Sequence, residues 1–334
     1  MADGIWTMVS HFTMSHQPSS HQPFATGVIG LGIMGSAIAS NLMRAGYRVV
    51  GYDTLARRRQ DHRRAGGQVA KDARDLGTHV DIVVCSLPSS DALRQVAVAL
   101  ARSPRPPQIV IETSTLPIAV KRQARDTLRR RGTTLIDCPL SGTGAQARTK
   151  DLVVYGSGDR RAYRRAVPVM AAFARAHYYV GAFGAGSKMK FVANLLVAVH
   201  NVAAAEALVL AMKAGLDPAM VLKVVGDGAG SSRMLEVRGP MMVTGDYSEA
   251  MMKLETWQKD LTIIADFARK LGCQTPLFSA SAPLYAAAMA MGHHAHDTAA
   301  VCAVLEEMGN HHRLPGASGR TGGAGRAGGT RRSA

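Results

Sequence analysis

The segment Gly30-Leu31-Gly32-Ile33-Met34-Gly35 constrains this chain more than any other. It follows a short apolar run, Gly27-Val28-Ile29. It precedes Ala37, Ile38, Leu42 and Met43 at helical spacing. Gly46 reads as a helix stop, and Tyr47–Tyr52 as a second strand ending at Asp53. A lone G-x-G-x-x-G is weak evidence. Placed between a strand and a helix, it predicts a βαβ unit that cradles a dinucleotide pyrophosphate. Gly30 permits the tight turn, Gly32 lets the backbone approach the phosphates, and Gly35 lets helix pack on strand. Leu31, Ile33 and Met34 complete the turn. The helix start offers free N–H groups and roughly half a positive charge. Asp53, 23 residues after Gly30, is placed to accept two ribose hydroxyls and to repel a 2′-phosphate. NAD is therefore the expected cofactor. Arg57, Arg58 and Arg59 follow closely and leave NADP open. The plainer alternative is a structural glycine turn and a solvated aspartate.

Strand and helix signals keep alternating: strands at 80–87, 109–112, 134–137 and 152–155, helices at 90–100 and 118–131. Alternation predicts a mostly parallel sheet covered on both faces. After Gly186 the strand signals stop. A long helix is expected over 189–214, then helices at 218–225, 253–271, 283–290 and 298–308, the last capped by Asp297. The fold class expected is α/β, a Rossmann-type dinucleotide-binding domain (25–184) followed by an all-α domain (185–310). Residues 1–24 read as a disordered leader and 311–334 as a Gly/Arg-rich solvated tail.

The net charge of +16 falls only to +12 when both ends are removed, so the excess lies on the body. It would steer anionic ligands toward the protein. Nucleic-acid binding is disfavoured, because charge is its only support and the tail lacks aromatic stacking residues. Four scattered cysteines form no paired motif and point to a reduced, cytoplasmic setting. No uncharged stretch of about twenty apolar residues predicts a membrane span. His293, His294 and His296 lack a further ligand at a known spacing, so no metal is expected.

Four motifs occur in order. They are the glycine turn, Asp137-Cys138-Pro139-Leu140-Ser141-Gly142-Thr143, Gly184-Ala185-Gly186-Ser187-Lys188-Met189-Lys190 with Asn194 following, and Lys259-Asp260-Leu261. Leu87-Pro88 and Ser114-Thr115 lie between them. Together they resemble the β-hydroxyacid dehydrogenase family, over residues 26–308. The resemblance implies a catalytic set of Lys190, Asn194, Ser141 and Gly142. It implies substrate contacts from Ser141, Gly142, Thr143 and Lys259, and cofactor contacts from Leu87, Pro88, Thr115 and Lys259. It further implies a small carboxylate substrate and a homodimer or homotetramer assembled through the helical domain.

The residues make chemical sense by themselves. Hydride loss from a secondary alcohol leaves a hydroxyl proton that some base must take. A desolvated lysine can do so at neutral pH, and an arginine cannot. Asn194 follows Lys190 by four residues and shares its helix face, whereas Lys188 does not. Ser141 and Gly142 follow a short strand at the expected carboxyl edge of the sheet, where ligands of open α/β sheets bind. Lys259 reads either as a charge for the acid group or cofactor, or as a surface partner of Asp260. Thr143 stands where the family has a second glycine and Cys138 where it has alanine, which leaves the substrate open. Cys138 reads as a packed residue. Two alternatives remain: an imine reductase-like enzyme on the same scaffold, and a non-catalytic nucleic-acid-associated relative. Lys190 argues against both.

Overall fold

A computed structural model of the chain describes residues 25–313. The expected leader and the tail beyond Arg313 lie outside the described residues. The first part alternates as expected. It comprises β1 (Thr26–Ile29), α1 (Ile33–Arg44), β2 (Val49–Tyr52), α2 (Ala56–Arg64), β3 (Gln68–Val69), α3 (Ala73–His79), β4 (Ile82–Cys85), α4 (Ser90–Ala101), β5 (Ile109–Glu112), α5 (Ile118–Arg129) and β6 (Thr134–Asp137). The six strands form one parallel sheet in the order β3-β2-β1-β4-β5-β6. β1 pairs β2 on one side and β4 on the other, so the strand order reverses at the carboxyl ends of β1 and β4. That reversal opens the crevice where doubly wound sheets bind ligands.

The chain then departs from the expected single sheet. β7 (Leu140–Ser141), β8 (Val153–Gly156) and β9 (Ala176–Tyr179) form a separate three-stranded sheet, with α6 (Gly144–Arg148) and α7 (Arg160–Phe173) between them. Cys138 still donates its N–H to Glu112 in the parallel ladder, but Pro139 has no N–H to continue it. Its carbonyl instead accepts from Tyr155, and β7 runs antiparallel to β8.

α8 (Ala185–Lys213) begins four residues earlier than the apolar pattern predicts. By length and composition it could cross a membrane. Here it is the central helix, contacted by α9 (Pro218–Gly226), α10 (Arg233–Thr244), α11 (Leu254–Lys270), α12 (Pro276–Ala290) and α13 (Val301–Met308). α10 has no counterpart in the sequence reading, because Gly239 and Pro240 mask it. Gly239 faces Leu222 closely, and a Cβ there would come within 2.4 Å of that side chain and make it shift. Asp297 does cap the turn at 298–300, donated to by Ala299, and it also pairs with the buried Arg238 at 2.9 Å. Arg313 binds Glu306 and the carbonyls of Met242 and Val243, so the chain is tied down through that residue rather than solvated from 311.

The two parts meet at a fully buried ionic cluster. Lys121 lies on the inward stripe of α5 with Val120, Ala124 and Leu128. Its Nζ sits 2.6 Å from Glu112 and 2.8 Å from Asp137, and none of the three side chains touches solvent. Burial alone would push the lysine down, but the two carboxylates hold it above its ordinary value. Removing only the cation strands two adjacent buried carboxylates. Lys121→Met is expected to cost about 3–5 kcal/mol in urea unfolding. A variant as stable as the parent would contradict this account of the joint.

Candidate functional site

The site begins at the glycine turn. Gly30 has φ of 87°, and a Cβ there would lie 2.1 Å from the Ser86 carbonyl. A Cβ on Gly35 would lie 1.7 Å from the Gly30 carbonyl, so the turn and α1 are in contact. At Gly32 the nearest atom to such a Cβ is the Arg58 guanidinium, at 3.7 Å, which leaves an open approach to the backbone. α1 starts there with no side-chain cap. These features suit a pyrophosphate. Leu31 is buried and Met34 half-buried, while Ile33 points outward at 56% exposure.

Asp53 is buried and more engaged than the sequence implies. Its Oδ2 accepts from Leu31 N–H at 2.8 Å and from Arg58 at 3.2 Å, and its Oδ1 accepts from Leu55 N–H at 2.8 Å. It therefore ties the glycine turn to β2. A carboxylate oxygen has two lone pairs, so Oδ1 keeps one for a ribose hydroxyl. A cavity of about 240 Å³ opens beside it, lined by Gly30, Tyr52, Asp53, Arg58, Leu87 and Pro88 among others. Of the three arginines, Arg58 faces this cavity. Arg59 is spent on the Asp53 and Thr54 carbonyls.

Ser114 and Leu87 are brought together, Leu87 N–H donating to the Ser114 hydroxyl at 2.8 Å. The adjacent Thr115 carbonyl accepts from Lys259. Lys259 also pairs with Asp260 at 2.7 Å. It is thus no free surface charge but a strut between α11 and the loop after β5. Asp260 is buried, and its other oxygen accepts from Asn194 Nδ2 at 2.9 Å. One carboxylate thereby fixes both Lys259 and Asn194 and leaves the Asn194 carbonyl oxygen free of any hydrogen bond among the described residues.

Lys190 lies one turn before Asn194 on α8 and is half-buried. Among the described residues no acid pairs with it. Removal from water is the largest influence on its ammonium. Asp260 opposes that effect, Lys259 adds to it, and the net result is a lysine lowered to about 8. Lys188 is exposed, as its two-residue offset requires. Ser141 ends β7, which packs beside α8. No hydrogen bond joins Ser141 to Lys190 or Asn194 among the described residues. Gly142 has φ of 133°, and a Cβ would strike Leu152 at 2.6 Å. Thr143 caps α6 in a reciprocal arrangement with Gln146, which occupies its N–H and hydroxyl. Cys138 is fully buried and burial pushes its thiol well up, as befits a packed residue. His293 and His296 face each other with Nδ1 atoms 2.7 Å apart.

Sequence reasoning did not find the Glu112–Lys121–Asp137 cluster or the bridging role of Asp260. The first left a signal: a lysine falling on the apolar stripe of an amphipathic helix. The second did not, because Asp260 beside Lys259 reads equally well as a surface pair.

Comparison with known proteins covers both parts of the chain. The model for the NAD binding domain of 6-phosphogluconate dehydrogenase matches residues 25–181. That for the NAD-binding domain of NADP-dependent 3-hydroxyisobutyrate dehydrogenase matches residues 184–305. An L-threonate dehydrogenase of Cupriavidus necator is 34% identical over 279 residues, covering 82% of this chain and 92% of its own. The structure of a 3-hydroxyisobutyrate dehydrogenase from Salmonella typhimurium superposes with a TM-score of 0.76 at 31% identity, covering 84% of this chain and 99% of its own. The Mycobacterium tuberculosis 3-hydroxyisobutyrate dehydrogenase, solved with L-serine, gives 0.77 at 28% identity, covering 85% and 99%.

Asp260 raises the proton affinity of Lys190 and Lys259 lowers it. Replacing Asp260 by asparagine removes the first influence and keeps the shape. If activity follows the ionisation of Lys190, its limb in kcat/KM against pH is expected to move to lower pH in Asp260→Asn. A limb that stays put or moves upward would contradict this electrostatic reading.

Proposed function

Because the chain belongs to the β-hydroxyacid dehydrogenase family, we propose that Lys190 is the proton-transfer group of its NAD(P)-dependent reaction. The protein is an oxidoreductase acting on the hydroxyl group of a hydroxyacid. The observation that carries the lysine assignment is the desolvated Lys190 beside Asn194, with Asp260 behind them. A nicotinamide cofactor held at the glycine turn and Asp53 would supply the hydride acceptor or donor when bound. As the substrate carbon loses hydride, Lys190 Nζ takes the hydroxyl proton and the carbonyl forms. In the reducing direction the ammonium returns that proton to the nascent alkoxide. The Asn194 carbonyl oxygen, left unused by Asp260, accepts from the substrate hydroxyl or from the ammonium. Ser141 and the Gly142 backbone at the end of β7 hold the substrate carboxylate. Thr143, engaged in capping, contributes through its position rather than its hydroxyl.

The substrate we propose is a short hydroxyacid of three or four backbone carbons, or its semialdehyde. The relatives' named ligands, L-threonate, 3-hydroxyisobutyrate and L-serine, define that class. We take the cofactor-binding part to run to residue 184 and the substrate part to begin at residue 185, a reading supported by the start of α8 at Ala185. A homodimer or homotetramer is proposed through the helical part. Not one residue of α9 is buried, and Val192, Leu196, Leu210, Met220 and Val224 expose large apolar side chains. A reduced, cytoplasmic setting suits four free cysteines.

Lys190→Ala is expected to keep cofactor binding and lose turnover by roughly 10²–10⁴; normal turnover would end the assignment. Arg58 competes with a ribose for Asp53 yet offers charge to a 2′-phosphate. Arg58→Ala is therefore expected to shift the ratio of kcat/KM toward NAD over NADP. An unchanged ratio would remove Arg58 from cofactor choice.

A further inference from the structure

Lys190 reaches the site on a helix that does not cap itself. α8 starts after Gly184, at φ of 97°, with no side-chain cap of its own. The Ala185 N–H donates to the nearby Ala182 carbonyl, but the next two N–H groups, of Gly186 and Ser187, are satisfied from far away in the chain. Gly186 N–H donates to the Ser157 hydroxyl at 2.9 Å. Ser187 N–H donates to Asp137 Oδ2 and the Ser187 hydroxyl to Asp137 Oδ1, each at 2.8 Å. The Ser157 hydroxyl itself lies 3.2 Å from Asp137 Oδ2. Asp137 in turn holds Lys121, and Lys121 holds Glu112. The other oxygen of Glu112 accepts from Ser114 N–H at 2.9 Å. A continuous buried polar run thus joins the Ser114–Thr115 loop to the first turn of α8.

We infer that Asp137, held by Lys121, is a positioning residue that sets the height and rotation of α8 and thereby the place of Lys190. The inference rests on Lys190 as the proton-transfer group. A single capping bond would fix a helix end but leave it free to turn. Two bonds from one residue to both oxygens of one carboxylate fix the rotation as well. Ser187 precedes Lys190 by three residues, so the two share a helix face. Gly186 closes the remaining freedom: a Cβ there would lie 2.2 Å from the Tyr155 carbonyl, so the helix rests directly on β8. A carboxylate in the first turn also complements the helix dipole.

The mildest test is Ser187→Ala, which deletes one of the two bonds and keeps a good helix former. Its kcat is expected to fall about tenfold, well within what misplacement of a reacting group by about 1 Å costs. Cofactor Kd should stay within about twofold. In a double-mutant cycle with Lys190→Ala, measured on the residual rate, the Ser187→Ala loss should vanish, because a residue acting through Lys190 has nothing left to position. Asp137→Asn, assayed well below its melting temperature, should show the same fall in kcat. A purely structural role predicts a lowered melting temperature with kcat intact at low temperature. Wild-type kcat in Ser187→Ala, or a loss that adds fully to that of Lys190→Ala, would overturn the inference alone. Normal turnover in Lys190→Ala would instead remove the proton-transfer reading, and the inference with it.

Discussion

Lys121 sits between Glu112 and Asp137 with no access to water, and most of what surrounds the site depends on that contact. Glu112 ends β5 and Asp137 ends β6, so the cation joins two neighbouring strand ends of the parallel sheet. Glu112 then orders the loop that carries Ser114 and Thr115, and Asp137 receives the first turn of α8. A buried ion triad is a poor source of net stability, since desolvation offsets much of its attraction. Its value here is geometric. Charged groups that must be satisfied in one arrangement leave little freedom to the elements that bear them.

A second carboxylate organises the other wall. Asp260 holds Asn194 on α8 and Lys259 on α11, and Lys259 reaches across to the Thr115 carbonyl. Both buried acids therefore connect to the loop after β5 and to the same helix, Asp137 at Ser187 and Asp260 two turns on at Asn194. Along α8, Lys190 falls between Ser187 and Asn194, and among the described residues it forms an ion pair with neither acid, although the charge of Asp260 acts on it. A lysine left without an ion-pair partner and partly withdrawn from water has its charge destabilised, whereas a paired one would be held as ammonium. The polar framework is arranged around Lys190 rather than spent on it.

Much of this was legible in the residues. Gly30, Gly32, Gly35 and Asp53 mark the dinucleotide crevice, because a side chain at Gly30 or Gly35 would collide with backbone, Gly32 leaves the approach open, and the punctuation of a βαβ unit is strict. Helical spacing put Asn194 on the face of Lys190, one turn on along α8; it was the family resemblance that singled out Lys190. The three-stranded sheet was not, since periodicity identifies a strand but not its neighbours; Pro139, which ends the first ladder, was the available clue. α10 was hidden by Gly239 and Pro240, residues that disfavour an isolated helix, although Gly239 lies against Leu222 in the folded chain. The contacts of Asp137 and Asp260 are 50 and 66 residues distant in sequence, and no local pattern carries such partners. Asp53 was read as a free acceptor, whereas the folded chain already uses it to hold the glycine turn.

The central claim is hydride exchange between a nicotinamide and a short hydroxyacid, with a lysine of lowered proton affinity taking the hydroxyl proton. It is tested most directly by offering the purified protein NAD or NADP with L-threonate, 3-hydroxyisobutyrate, L-serine and related short acids. Formation of the reduced nicotinamide is followed by absorbance as pH is varied. The neutral lysine is required in the oxidising direction, so kcat/KM should rise as pH increases through about 8 and level off above it. No reduction of either cofactor with any of these acids, or a rate that shows no such rise, would contradict it.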